Sequence, residues 1–239
     1  MLARLALTGA VVGAAAATCA WATLSAESQL CGPAILAGRN PAEFALTYDD
    51  GPNDPWTQRL LDLLAHHHLR ATFFLIGQFV RRRPDLARAV QAAGHLVGNH
   101  TMTHPWLVVE SPRRVREELT AANAAIEDAI GEPVHFFRPP HGARRPDVLR
   151  IARDLGLTPV QWNAMGYDWR PELSIEQITA NLERGIVRNR SRARGSNLLL
   201  HDGSHTGIGA DRSRSVEATR LLLERYPADG TRYVTVDVW

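Results

Sequence analysis

Short apolar runs alternate with longer stretches of helical period along most of this chain, beginning near Ala42. Residues 44–48 read as a short buried strand, cut off by the turn chemistry of Gly51-Pro52-Asn53-Asp54-Pro55. A helix is predicted around 56–67, a strand over 71–76 and a helix over 79–93. Leu96-Val97-Gly98 is a third strand. Val115, Leu119, Ala122, Ile126 and Ile130 then mark one face of a long helix that Gly131 closes. Phe136-Phe137 follows as a strand, and residues 146–155 as a helix ended by Gly156. Further strands are expected at 158–162, 197–200 and 233–238, with helices near 174–186 and 215–226 between them. Repeated βα units imply a parallel sheet with helices outside, so the fold class is α/β. About seven such units favour a closed or nearly closed barrel of parallel strands over an open doubly wound sheet.

Ahead of this region the pattern changes. Met1-Leu2-Ala3-Arg4 and the apolar run from Leu5 to about Leu24 have the charged start and hydrophobic stretch of an export signal. Ala20-Trp21-Ala22 matches a small-x-small cleavage site, yet the run is also about long enough to span a bilayer uncleaved. Residues 1–22 are therefore expected to be a signal peptide or membrane anchor, and the protein exported, either released or held at the membrane facing outward. Residues 23–41 are small, polar and punctuated by Gly and Pro, as in a linker, and 42–239 is expected to be one domain. Cleavage after Ala22 would leave Cys31 as the only cysteine, so no disulfide framework is expected.

Composition narrows the chemistry. With 27 basic and 25 acidic residues the formal charge is +2, which makes no electrostatic case for nucleic acid as a partner. Every basic residue is Arg and none is Lys, which excludes Schiff-base and lysine-nucleophile chemistry. The 10 histidines carry more information, because several have ligand-like spacing.

Polar clusters fall where strands end, the rim on which barrels carry their chemistry. Asp49-Asp50 ends the first strand, His100 and His104 follow another, and Arg138 to Gly142, Asp168 and His201 follow three more. Two ionised carboxylates this close repel, and at a buried strand end they call for a cation or a shared proton. One can bind a metal while the other takes a proton; the plain alternative is a solvated Asx-turn. His100 and His104, at i and i+4 with Pro105 limiting the segment to a single turn or a loop, can share a metal, and Asp50 completes an open carboxylate-plus-two-histidine set.

Thr47 to Pro52, His100 to His104, Arg138-Pro139-Pro140-His141-Gly142, Asp168-Trp169 and Leu199-Leu200-His201 occur in the order and approximate spacing of five motifs. In these the chain resembles the NodB-homology polysaccharide deacetylases, carbohydrate esterase family 4, from about Ala42 to the C-terminus. The resemblance implies a distorted (β/α) barrel and metal-dependent removal of acetyl groups from acetylated sugars. It implies Asp49 as general base, Asp50, His100 and His104 as metal ligands, and Arg138 as the group that positions the base. His201 would protonate the leaving nitrogen with Asp168 stabilising its imidazolium form, and Leu199 and Trp169 would wall the acetyl methyl. His141 stands where the family usually has Tyr or Phe; the backbone N–H that serves as oxyanion donor survives the change, while the shape of the subsite changes.

The expected activity is hydrolysis of N-acetyl groups on N-acetylglucosamine-type residues of a polysaccharide or oligosaccharide, releasing acetate. Zinc is the first candidate metal, and a mixed N/O site also accepts cobalt, manganese or nickel. An O-acetyl esterase acting on xylan and a catalytically silent glycan-binding domain are the rivals. His201 and His205 form a second i, i+4 pair that rivals the first as a metal site. Trp106 and Trp162 either stack on sugar rings or are structural. His66-His67-His68 sits at a predicted helix end, where cations favour the dipole, and the arginines at 81–83 and 188–194 read as solvated faces.

Overall fold

A computed structural model describes residues 17–239. The expected leader lies for the greater part outside the described residues, and no helix among those described is long and apolar enough to cross a membrane.

The sheet is parallel throughout its paired strands. Its strands are β1 (Glu43–Gly51), β2 (Thr72–Leu75), β3 (Leu96–Asn99), β4 (Phe136–Phe137), β5 (Thr158–Pro159), β6 (Ala164–Met165), β7 (Ser196–His201) and β8 (Arg232–Tyr233). They are ordered β5-β4-β3-β2-β1-β7-β6, with β8 paired to the start of β1. Seven of them make a curled half-barrel, open between β5 and β6, in agreement with the expected distorted (β/α) barrel. Around it run α1 (Trp56–His66), α2 (Gly77–Arg82), α3 (Pro84–Ala92), α4 (Pro112–Ile130), α5 (Pro146–Asp154), α6 (Ile175–Ser191) and α7 (Ser213–Arg225).

Alternation of side chains along the strands divides the core in two. Phe44, Leu46 and Tyr48 of β1, Phe73 and Leu75 of β2, and Leu198 and Leu200 of β7 join the large cluster beneath the helices. The intervening Ala45 and Phe74 belong to a smaller cluster inside the curl with Val160, Val234 and Val236. Inside-facing positions of β1 are thus Ala45, Thr47 and Asp49, and those of β7 are Asn197, Leu199 and His201. The small inner cluster fills one end, and polar residues occupy the other.

The Gly131 stop acts as predicted, and the structure adds capping at the helix starts. Ser111 caps α4 by accepting from the Arg114 N–H at 3.2 Å, Pro112 opens it, and Gly131 ends it with φ 75°. Ser174 and Gln177 form a reciprocal capping box on α6. The single helix expected at 79–93 is instead two, α2 and α3. Pro84 lacks an N–H and crowds the preceding turn, so it ends one helix and starts the next. The strands expected at 158–162 and 233–238 shrink to two residues each, the second followed by a 3₁₀ turn over Val236–Val238. β6 was not anticipated, since two residues leave no readable alternation.

Residues 23–41, expected as a linker, lie packed on the domain. Ile35 makes a parallel bridge to Val160, donating to the Pro159 carbonyl at 2.9 Å and accepting from the Gln161 N–H at 2.8 Å. It covers the β5 edge and packs on the inner cluster. Small, Gly/Pro-rich sequence suits an edge cover as well as a linker, because neither shows periodicity.

Leu119 is fully buried in the α4 stripe. Leu119→Ala is expected to cost about 2–5 kcal/mol of unfolding free energy, read from the urea midpoint; a loss near zero would mean that α4 is not a core element.

Candidate active site

Strict alternation would send Asp50 to the helix side, away from Asp49. It does not, because the β1–β2 register slips between Asp49 and Gly51 and Asp50 adopts φ 72°. A bulge with one residue in the left-handed region, which Asp tolerates better than most, turns both carboxylates to the same rim. The bulge is locked from β7. Asp202 and Gly203 donate their N–H groups to the Asp49 carbonyl at 3.2 and 3.3 Å. A Cβ on Gly203 would lie 1.9 Å from the Asp50 carbonyl oxygen, and one on Gly51 would lie 2.2 Å from the Asp202 carboxylate. Asp202 accepts from the Thr57 hydroxyl at 2.5 Å, and burial pushes its carboxyl up to about 7.

His100 and His104 follow β3 in a loop, one of the two forms that Pro105 leaves open; Thr101 and His104 both have positive φ. The loop is held by the Asn99 side chain accepting from the Thr101 N–H at 2.6 Å and by the Thr101 hydroxyl accepting from the His104 N–H at 3.0 Å. His100 Nδ1 is 2.8 Å from the Arg138 carbonyl, which can only accept, so the proton sits on Nδ1 and Nε2 is a free donor atom for a metal. That Nε2 is 3.4 Å from Asp50 Oδ1, and His104 Nε2 is 3.2 Å from the same oxygen.

Among the described residues, Asp50, His100 and His104 are the group whose donor atoms could hold a metal, all within 4.8 Å of one another and all buried. Asp50 Oδ1 is buried with no hydrogen-bond partner, the condition of an oxygen reserved for a cation. Burial opposes ionisation of Asp50, yet the imidazoles of His100 and His104 against it hold its carboxyl far below the usual carboxylate range. Burial, helped by His100, drives His104 down to about 2, so its imidazole is neutral as a ligand must be. The donor set fits a divalent metal.

Asp49 is placed by a second network. Arg138 is fully buried and donates from one nitrogen to Asp49 Oδ1 at 2.8 Å and to the Thr47 hydroxyl at 2.9 Å. Its other terminal nitrogen donates to the Gln161 carbonyl at 3.2 Å and the Asn197 side chain at 3.3 Å. The guanidinium lies 4.2 Å from the Phe74 ring centre. Asp49 Oδ2 stays free on the cleft side, 3.8 Å from His100 Nε2.

His201 is the register partner of Asp49 across β1 and β7. Its Nδ1 is 2.8 Å from Asp168 Oδ1, and its backbone N–H donates to Asp168 Oδ2 at 2.7 Å. Ser215 donates to the same oxygen at 2.6 Å. Burial works against the imidazolium, but Asp168 outweighs it and pushes His201 up to about 9. Asp168 is correspondingly held below its ordinary range despite its burial.

Asp49, Asp50, His100, His104 and His201 line one cleft of about 690 Å³ with His141, Trp162, Trp169, Leu199 and His205. Leu199 is deep in it, and Trp169 stands at the mouth against His201, ring centres 5.0 Å apart. His141 has φ 58°, and Trp106 stacks on its ring at 3.9 Å. Trp106 therefore has an intramolecular partner, while Trp162 faces the cleft. His201 and His205 are not in the group of described residues that could hold a metal; Asp168 engages His201 Nδ1, and His205 stacks on His104 at 4.8 Å. The histidines at 66–68 stand at the end of α1, away from this cleft.

Sequence reasoning missed Thr47, Asn197, Gln161, Ser215 and Asp202. Thr47 and Asn197 had a signal, since both are polar at inward positions of otherwise apolar strands. Gln161, acting through its backbone, had none.

The chain belongs to the polysaccharide deacetylase family, whose model matches residues 38–160. It is 39% identical over 171 residues to a chitooligosaccharide deacetylase of Sinorhizobium fredii, covering 70% of this chain and 75% of that one. Among solved structures it is similar to a peptidoglycan N-acetylglucosamine deacetylase, with TM-score 0.77, 30% identity and coverage of 86% and 91%. It is also similar to a family 4 acetyl xylan esterase from Clostridium thermocellum in complex with cobalt, with TM-score 0.71, 29% identity and coverage of 82% and 89%.

Gly203→Ala should force the β7 loop off the Asp50 carbonyl and spoil the bulge. Zinc affinity measured by titration calorimetry should fall at least tenfold, and stability by about 1–3 kcal/mol. Unchanged affinity would show that the bulge does not set the ligand geometry.

Proposed function

We propose that this protein is an exported, divalent-metal-dependent hydrolase that removes N-acetyl groups from N-acetylglucosamine-type residues of a glycan and releases acetate. One juxtaposition carries the reading: a buried Asp50-His100-His104 donor set beside an Arg138-held carboxylate, facing a histidine that a second buried carboxylate keeps protonated. Zinc fits two imidazoles and a carboxylate with open positions, and is the proposed metal. When bound, the cation polarises the acyl carbonyl and acidifies water at that position. Asp50 and the Nε2 atoms of His100 and His104 hold it.

Asp49 Oδ2 takes the proton of the attacking water as its oxygen bonds to the acyl carbon. Arg138 keeps Oδ1 engaged, so one oxygen is fixed and the other faces the cleft. In this reading the backbone N–H of His141 stabilises the developing oxyanion, and its ring shapes the rim. His201 Nε2–H protonates the sugar nitrogen as the C–N bond breaks, leaving the free amine and acetate, while Asp168 retains Nδ1–H. Leu199 and Trp169 enclose the acyl methyl. Export, with release or retention at the membrane, is supported by Arg4 and the apolar run after it.

The likeness to an acetyl xylan esterase keeps O-deacetylation as the second reading. Acetate release from chitooligosaccharides, peptidoglycan and acetylated xylan, compared on one preparation, separates the two; faster release from xylan would favour the ester. Asp49→Asn should reduce turnover by about 10²–10⁴-fold with bound metal unchanged, and full acetate release by that variant or by the chelated enzyme would refute the mechanism.

The pH profile tests the acid. His201 must be protonated, so kcat should fall as pH rises through its raised value, and metal charge near Asp50 draws that limb down from about 9. Asp168→Asn removes the charge that raises it, so the alkaline limb should shift further towards 6.5. An unmoved limb would assign the proton to another group.

A further inference from the structure

Resting on the glycan-deacetylase reading, the geometry points to the N-terminal segment 23–28 as a specificity element of the active site, with Leu24 contacting the apolar ring face of the sugar next to the one that reacts. Leu24 and Ala26 line the same cleft as Asp49, His100 and His201. Depth separates Leu24 from the acyl pocket: Leu199 is 2% exposed, whereas Leu24 is 53% exposed. Leu24 is therefore an apolar group on the rim, where a pyranose ring beyond the reacting residue would rest its C–H face. Trp162 and Met165 add apolar surface to the same cleft.

The segment is fixed in place by Arg144, which is fully buried and has no acidic partner among the described residues. Its guanidinium donates to the carbonyls of Ser25 at 2.9 Å, Ala26 at 3.4 Å and Ser28 at 2.5 Å. It also donates to the Gly142 carbonyl at 2.8 Å, and its backbone N–H donates to the Thr23 carbonyl at 3.0 Å. A buried cation surrounded by carbonyls is costly unless the chain that supplies them stays ordered. Glu27 adds ion pairs to Arg188 and Arg192 at 2.8 and 3.3 Å. Arg144 is thus a positioning residue: it joins the segment to the loop that carries His141.

Leu24→Ser in the full chain tests the assignment directly. With tetra-N-acetylchitotetraose, KM should rise about fivefold with kcat unchanged, whereas turnover of monomeric N-acetylglucosamine should not change. Equal loss on both substrates, or a tetrasaccharide KM within twofold of wild type, would overturn the proposal. Arg144→Gln should raise the same KM and increase hydrogen exchange at residues 23–28, and Leu24→Ser added to it should cause little further loss; full additivity would remove Arg144 from the role. Tetrasaccharide binding by Asp49→Asn protein, with and without Leu24→Ser, reads the wall independently of turnover. If wild-type protein releases no acetate but binding still weakens on Leu24→Ser, the activity reading fails and the wall stands; if binding is unaffected, the wall fails.

Discussion

The buried contact between Arg138 and Asp49 is the constraint on which the site depends. A guanidinium with no exposure needs several acceptors, and Asp49, Thr47, Gln161 and Asn197 supply them from three strands or strand ends. Removing one partner of such a pair leaves the other charge stranded, at a cost of about 3–5 kcal/mol. The same residue offers its carbonyl to His100 Nδ1. Arg138 therefore fixes the carboxylate through its side chain and a metal ligand's tautomer through its backbone.

Around that contact the sheet works as a sorting device. Alternation delivers Thr47, Asp49, Asn197, Leu199 and His201 to the inner rim and their neighbours to the helix-facing core. One deliberate exception, the bulge at Asp50, adds a second carboxylate to the rim that regular pleating would have buried among leucines. The exception is held by close backbone approach at Gly203 and by Asp202 beneath Gly51. Two adjacent aspartates can thus differ in role because their backbones differ.

Much of this was readable from residues alone. Repeated βα periods define the parallel sheet, and turn signals after apolar runs place Asp49, Asp50, His100, Arg138, Asp168 and His201 at strand ends. The rest was hidden for physical reasons. Two-residue strands such as β6 have too few positions to show a period, and Pro84 splits a helix without interrupting its apolar stripe. The i, i+4 spacing of His100 and His104 before Pro105 left a single turn or a loop open, and positive φ at Thr101 and His104, which spacing does not reveal, makes it a loop. The segment 23–41 has no periodicity at all, because its order comes from Ile35 at a sheet edge and from Arg144, both contacts distant in sequence.

The division of labour within Arg138 makes a sharp demand. Arg138→Lys keeps a positive charge and the backbone carbonyl but loses the planar fork that aligns Asp49. Measured together on one preparation, zinc affinity should stay within a few-fold of wild type while kcat for acetate release falls by at least tenfold. Unchanged kcat, or loss of metal in step with activity, would contradict the account.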